Sequence, residues 1–184
     1  MAESTTGAEM EQDLSLQRCP RSGTSGAMRT LIARPATTSD ADALARLLSS
    51  LAAEEGLAAP LTPETIAAAL GRWIDALVLD GPDGLIGAAV FYPGFDLDTA
   101  TGGLHLEALI IDEAHRNHGF GLQLLAAVAA KARADGGAWV AWYARAANRS
   151  ARRFYRRIGA REEKYLNLYV QDQAFDALAD QGLP

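Results

Sequence analysis

Residues 116–121, Arg116-Asn117-His118-Gly119-Phe120-Gly121, join two apolar stretches of different character, and this junction limits what the chain can become. Upstream, residues 104–111 are apolar apart from His105 and Glu107, as in a strand. Downstream, residues 122–134 are rich in Ala and Leu and hold no proline, as in a helix. A glycine-bearing turn that opens a helix leaves the first N–H groups unpaired at the positive end of the helix dipole. Such an end is a seat for a phosphate or pyrophosphate.

Three phosphorylated ligands compete for that seat. A nucleoside triphosphate loop needs Lys and then Ser or Thr after its last glycine, whereas Leu122 and Gln123 follow Gly121. A dinucleotide loop needs three glycines, and Arg116 stands where the first would be. Coenzyme A is the third ligand, and two further segments bear on it.

Arg116, Gly119 and Gly121 match the pyrophosphate pattern Arg/Gln-x-x-Gly-x-Gly/Ala. Downstream, Asn148, Ala151, Phe154, Tyr155, Gly159 and Ala160 fit the pattern Asn-x-x-Ser/Ala-x-x-Phe-Tyr-x-x-x-Gly-Phe/Ala. Near the start, Ala33-Arg34-Pro35-Ala36-Thr37 is followed by Asp40 and a helical pattern. In the order and spacing of these segments, over residues 28–170, the chain resembles the GNAT N-acetyltransferases. Residues 104–160 look most like their diamine and polyamine branch, where a glutamate sits nine positions before the motif arginine, as Glu107 does before Arg116.

The resemblance implies acetyl-CoA as co-substrate and a small-molecule primary amine as acceptor, with direct transfer in a ternary complex. An aminoglycoside, an amino acid or a protein amine stays open as acceptor, and so does a non-catalytic acyl-CoA sensor. By the same resemblance Arg116, Asn117, His118, Gly119, Phe120 and Gly121 hold the pyrophosphate, with the backbone N–H of Arg116 favoured over its side chain. Asn148 would bond the pantetheine amides, and the backbone of Leu109, Ile110 and Ile111 would meet the thioester oxygen where such sheets splay. Tyr155 would protonate the departing sulfur, and two chains would form a homodimer.

The residues themselves also argue for chemistry. Acetyl transfer to an amine needs a base, a stabiliser of the carbonyl oxygen and an acid for the thiolate. Glu107 is an ionisable side chain in an apolar strand, where burial would raise its proton affinity toward neutrality. In a regular strand His105, Glu107 and Leu109 share one face and Leu106, Ala108 and Ile110 the other. His105 is the alternative base, and a carboxylate paired with an arginine is the plainer alternative. Tyr155 shares an apolar helix face with Ala151, Phe154 and Ile158, so its hydroxyl needs a partner. Arg149, Arg152, Arg153, Arg156 and Arg157 form a stripe on the opposite face, solvated or binding an anion. Glu54, Glu55, Asp96 and Asp98 could bind an ammonium, and Phe91, Tyr92 and Phe95 its alkyl chain.

At 184 residues and 49% hydrophobic content, the chain suits one domain with a sizeable core. A formal charge of −6 gives no general attraction to nucleic acid, and no run of about 18 apolar residues suggests a membrane span. Cys19 is the only cysteine, which excludes an internal disulfide and a cysteine-ligated zinc. That suits a reducing, cytoplasmic setting. Residues 1–27 are polar, without apolar periodicity or the pattern of a signal peptide, and read as a disordered tail before a domain at 28–184, with Met28 as a candidate natural start.

The expected elements are a strand at 29–34, a helix capped by Ser39 or Asp40, and a second helix from Pro63 to about Trp73. A hairpin follows at 76–92, then a loop at 93–103, the strand at 104–111 and the long helix. A strand at 138–143, a helix at 149–158, a last strand at 165–170 and a helix at 172–179 complete the series. This order predicts an α/β domain of the α+β type, with a mixed sheet of about six to seven strands flanked by helices.

Overall fold

The computed structural model describes residues 31–57, 61–164 and 166–181. The expected tail, with Cys19 and Met28, lies outside the described residues. The sheet grows from one hairpin. Pro82 and Asp83 turn the chain, Gly84 takes φ +127°, and β2 (Asp75–Gly81) returns as β3 (Gly84–Asp96). β4 (Thr101–Ile111) pairs antiparallel with β3 along its length. β1 (Arg34–Pro35) adds antiparallel to β2 and β5 (Trp139–Trp142) adds parallel to β4, giving the order β1-β2-β3-β4-β5. The mixed sheet is as expected, with five strands among the described residues instead of six or seven.

Helices cover both faces. α1 (Ala41–Glu54) and α2 (Pro63–Ala69) bury Leu44, Leu48 and Ile66 against Val78, Val90 and Ile110. α3 (Phe120–Ala134) buries Leu124 and Val128 against Leu79, Phe91 and Leu106 on the other face. After β5 come α4 (Arg149–Arg157) and α5 (Asp172–Asp180). Burying each of these Leu, Ile, Val and Phe side chains stabilises the fold by about 1.5–3 kcal/mol.

Four sequence expectations change. β3 and β4 run through most of 93–103, and only residues 97–100 form the turn. Pro93 is tolerated because β2 pairing ends at Asp75–Phe91, so its missing N–H removes no ladder bond on that side. α2 ends at Ala69, not near Trp73, because Leu70 turns to bridge Ile74 and Gly71 takes φ +72°. Among the described residues β1 is confined to Arg34 and Pro35, opposite Val78 and Leu77. Residues 166–170 form no strand; Leu166 and Leu168 are 88% and 85% exposed, since alternation without a neighbouring strand supplies no ladder. Tyr165 lies outside the described residues.

One polar knot ties the start of the domain together. The Arg34 guanidinium donates to both carboxylate oxygens of Asp40 (2.9 Å each) and of Asp80 (2.7 and 2.8 Å). Asp40, 9% exposed, also accepts from the Thr37 N–H (2.8 Å) and stands at the N-terminus of α1. The Arg34 hydrogen bonds, then those of Thr37, hold its carboxyl well below the usual carboxylate range against the opposing effect of burial. A depressed folded value stabilises the native state above the unfolded carboxyl's value of about 4, and that contribution fades as pH falls below it. Asp40→Asn is expected to cost about 2 kcal/mol at pH 7 in urea unfolding, with the gap from the parent narrowing below about pH 4. A gap independent of pH would show that the Asp40 charge is not what counts.

Candidate active site

The glycine turn folds as its residue types demand. Asp112 accepts from the Ala114 N–H (3.1 Å) and opens a short 3-10 turn over residues Glu113–His115. Asn117 then takes φ +66° and Gly119 φ +83°, left-handed values that Asn and Gly tolerate best. The first bond of α3 runs from the Gln123 N–H to the Gly119 carbonyl (3.1 Å). The N–H groups of Phe120, Gly121 and Leu122 thus have no intrahelical acceptor, and with the left-handed turn before them they form a concave anion seat. His118 Nδ1–H donates to the His115 carbonyl (3.3 Å), and its ring stacks toward Phe120 at 6.1 Å.

Local packing does not account for glycine at 121. A Cβ there would meet only Ile111 Cγ1, at 3.9 Å, an ordinary contact. Neither crowding nor a positive φ requires glycine, which disfavours a helix by about 1 kcal/mol relative to Ala. Close approach of a ligand does require it. The turn therefore fits a pyrophosphate.

Arg116 is engaged elsewhere. Its N–H donates to the Glu113 carbonyl (3.3 Å), its Nε–H to the Ile111 carbonyl (2.9 Å), and its terminal nitrogen pairs with Glu54 at the end of α1. The Glu54 hydrogen bond raises the guanidinium's pKa above its ordinary value. Its partner is neither Asp112 nor Glu113, because the side chain turns back across the loop to α1. Arg116 positions the turn, and its backbone N–H is not free to meet a phosphate.

β4 carries an irregularity that sequence alternation could not reveal. Val90 pairs with Ala108 and Phe91 with Leu106, which leaves Glu107 as an extra residue in a bulge. Leu104, Leu106, Leu109 and Ile111 consequently share the α3 face, whereas Ala108 and Ile110 belong with α1 and α2. Leu106 and Ala108, expected together, lie on opposite faces, and Leu109 leaves the face of His105. Glu107 itself is exposed, not buried as the apolar run implied. Its negative charge, after the larger effect of burial, raises the pKa of the Tyr92 phenol.

β4 also outruns its neighbour. Parallel pairing with β5 stops at Leu106–Trp142, so the β4 edge from Glu107 to Ile111 has no β5 partner among the described residues. Leu109, Ile110 and Ile111 lie on this open edge, where the splay was expected. Tyr155 packs against Trp142, ring centroids 5.0 Å apart, and against Phe154 at 5.3 Å. Burial raises its phenol pKa, so it stays protonated well past neutrality. No hydrogen bond to its hydroxyl occurs among the described residues, which leaves it available to a ligand. Asn148 caps α4 by accepting from the Ala151 N–H (3.0 Å).

The other candidate groups separate. Glu55 pairs with Arg145 (3.3 Å). Asp96 accepts from the Thr99 hydroxyl (2.9 Å) and the Asp98 N–H (2.8 Å) and stabilises its own turn. Arg152 and Arg156 converge on Glu162 at 2.7 and 3.1 Å, and chiefly Arg152 lowers the Glu162 carboxyl to about 2. Arg149, Arg153 and Arg157 remain at the surface. His105 stacks on Tyr92 (5.1 Å) and meets the edge of Trp139 (4.9 Å). Phe91 is buried in the core, and Phe95 lies exposed near the hairpin tip. Sequence reasoning missed Trp139, Trp142 and Tyr143; the facing glycines Gly94 and Gly103, which make room for Trp139, were the available signal.

Glu107 lies on the open β4 edge, Tyr155 packs on Trp142 where the β5 pairing ends, and the glycine turn follows the far end of that edge. Among the described residues, no cluster of three His, Cys, Asp or Glu side chains could hold a metal ion, and no helix is long and apolar enough to cross a membrane. No curated protein matches the chain. Among solved structures, an integron cassette protein from the mobile metagenome of V. cholerae is similar (18% identity, 81% of this chain and 97% of that one, TM-score 0.68). So are a ribosomal-protein-alanine N-acetyltransferase from Brucella melitensis biovar Abortus 2308 (20% identity, 77% and 100%, TM-score 0.64) and an aminoglycoside acetyltransferase from an uncultured soil metagenomic sample, in complex with sisomicin (17% identity, 78% and 97%, TM-score 0.66). At these identities they establish the fold alone. Residues 42–160, however, match the family model described as the acetyltransferase (GNAT) family. The chain therefore belongs to the GNAT acetyltransferases, enzymes that take their acyl group from acetyl-CoA.

Proposed function

We propose that this acetyltransferase moves the acetyl group of acetyl-CoA directly to a small primary amine within a ternary complex. The observation that best supports this is the open β4 edge, which carries the exposed Glu107 carboxylate and begins beside Trp142, on which the half-buried Tyr155 phenol packs. The nine-residue interval from Glu107 to Arg116 resembles the diamine and polyamine branch, but nothing in the geometry favours that acceptor over another small amine.

Acetyl-CoA supplies the acyl group as a thioester. The N–H groups of Phe120, Gly121 and Leu122 hold its pyrophosphate, and the Asn148 amide, whose oxygen already caps α4, keeps its NH2 free for the pantetheine arm. Glu107 accepts a proton from the amine nitrogen as the N–C bond forms. Unpaired N–H groups among Leu109, Ile110 and Ile111 stabilise the carbonyl oxygen as it gains charge. Tyr155 gives its phenolic proton to sulfur as the C–S bond breaks.

A homodimer completes the reading. Leu166, Leu168 and Val170 form an exposed apolar alternation, and β5 is an edge strand that could accept it from a second copy. Light scattering should then give about twice the chain mass of 19.5 kDa, and a monomer at micromolar concentration would contradict it.

The transfer itself is tested by thiol release from acetyl-CoA across a panel of primary amines. Glu107→Gln should lower turnover on the order of 100-fold at pH 7 and recover toward the parent above about pH 10, where the amine deprotonates unaided. Tyr155→Phe should reduce turnover at least about tenfold with acetyl-CoA affinity within about twofold. Parent-like rates at every pH would remove either residue from the chemistry. Tight acetyl-CoA binding with no amine-dependent thiol release would favour a sensor.

A further inference from the structure

The α1–α2 face of the sheet has a second surface beyond the helices. Tyr92, His105 and Trp139 follow Val90, Ala108 and Ile110 along that face, and all three rings are half-buried. Two glycines set their arrangement. A Cβ on Gly103 would lie 2.2–2.6 Å from Trp139 Cδ2, Cε2 and Cε3, so the indole lies face-down on bare backbone. A Cβ on Gly94 would strike His105 Cδ2 at 2.6 Å and Trp139 Cη2 at 2.9 Å. Gly94 and Gly103 are directly paired, so one flat trough crosses β3 and β4. Trp139 Nε1–H donates to the Thr101 carbonyl (3.2 Å) and fixes the ring there. His105 meets Trp139 at 4.9 Å and stacks on Tyr92 at 5.1 Å, with an interplanar angle of 26°. The result is a continuous aromatic floor whose His105 stands two residues before Glu107 on β4.

The carboxylates around this floor are few. Glu54 and Glu55 are paired with Arg116 and Arg145. Asp96 holds its own turn. Asp98 lies in the hairpin tip, roughly 20 Å along the strand from Glu107. Among the described residues, these four carboxylates are engaged or distant, so a second ammonium on a short alkyl chain would meet aromatic faces first.

We propose that Tyr92, His105 and Trp139 form the acceptor seat, and that it selects a monoamine carried on a flat aromatic ring, an arylalkylamine, over a di- or polyamine. The ring stacks on the floor while its ammonium reaches Glu107 at the fork. This rests on acetyl transfer with Glu107 as the base.

Steady-state thiol release with 2-phenylethylamine and 1,4-diaminobutane tests it. The expected kcat/KM is at least about tenfold higher for 2-phenylethylamine. Trp139→Leu and, as a variant away from the Thr101 bond, Tyr92→Leu should each raise KM for 2-phenylethylamine roughly tenfold while leaving KM for acetyl-CoA unchanged. Equal or better use of 1,4-diaminobutane, or an unchanged KM for 2-phenylethylamine in both variants, would overturn the seat and leave acetyl transfer standing. Absence of thiol release with either compound and with all other primary amines would overturn the transfer reading and this one with it.

Discussion

β4 extends five residues past its last pairing with β5, and from Glu107 to Ile111 the backbone groups that face away from β3 have no strand partner among the described residues. Part of the demand is met within the chain, where the Arg116 Nε–H takes the Ile111 carbonyl. The rest of the edge faces the fork between the strands. A thioester laid along it would find donors already fixed by the β3–β4 ladder, with no reorganisation at the moment of reaction. The exposed Glu107 carboxylate lies on this edge, and the half-buried Tyr155 phenol packs on Trp142 where the pairing ends.

The C-terminus of α1 steadies both banks of the fork. Glu54 reaches the loop after β4 through Arg116, and Glu55 reaches the segment after β5 through Arg145. Carboxylates at a helix C-terminus oppose the dipole, and the two arginines offset that cost. Exposed ion pairs each contribute little stability, about 0–1 kcal/mol. Their effect here is geometric: they hold the glycine turn and the start of the Asn148 loop at a common reference point.

What sequence could show depended on how local the cause was. The turn and helix start at Gly119 were legible because a glycine turn and a proline-free helix belong to one short stretch. The hairpin at Pro82 and Asp83 and the helix opening at Pro63 were legible for the same reason. The bulge at Glu107 was not, since it arises from how two strands register, and it reversed the face of Leu109. Pairing of Arg116 with Glu54 spans 62 positions and no pattern announces it. Residues 93–103 read as a loop because Pro93, Gly94, Gly102 and Gly103 are usual breakers, yet here the glycines admit an indole and the proline faces an unpaired edge. The alternation at 166–170 misled in the opposite sense, because a strand pattern needs a neighbour.

The central claim is that the amides opening α3 seat the diphosphate of coenzyme A, and the most direct test separates that role from folding. Gly121→Asp places a carboxylate at a helix N-terminus, where it favours the helix, in a space that admits a Cβ without crowding. It also sets a negative charge against the diphosphate. Calorimetric titration with coenzyme A should show affinity falling more than about tenfold in the variant, while its thermal midpoint equals or exceeds that of the parent. Affinity within about twofold of the parent, in a variant equally well folded, would contradict the account.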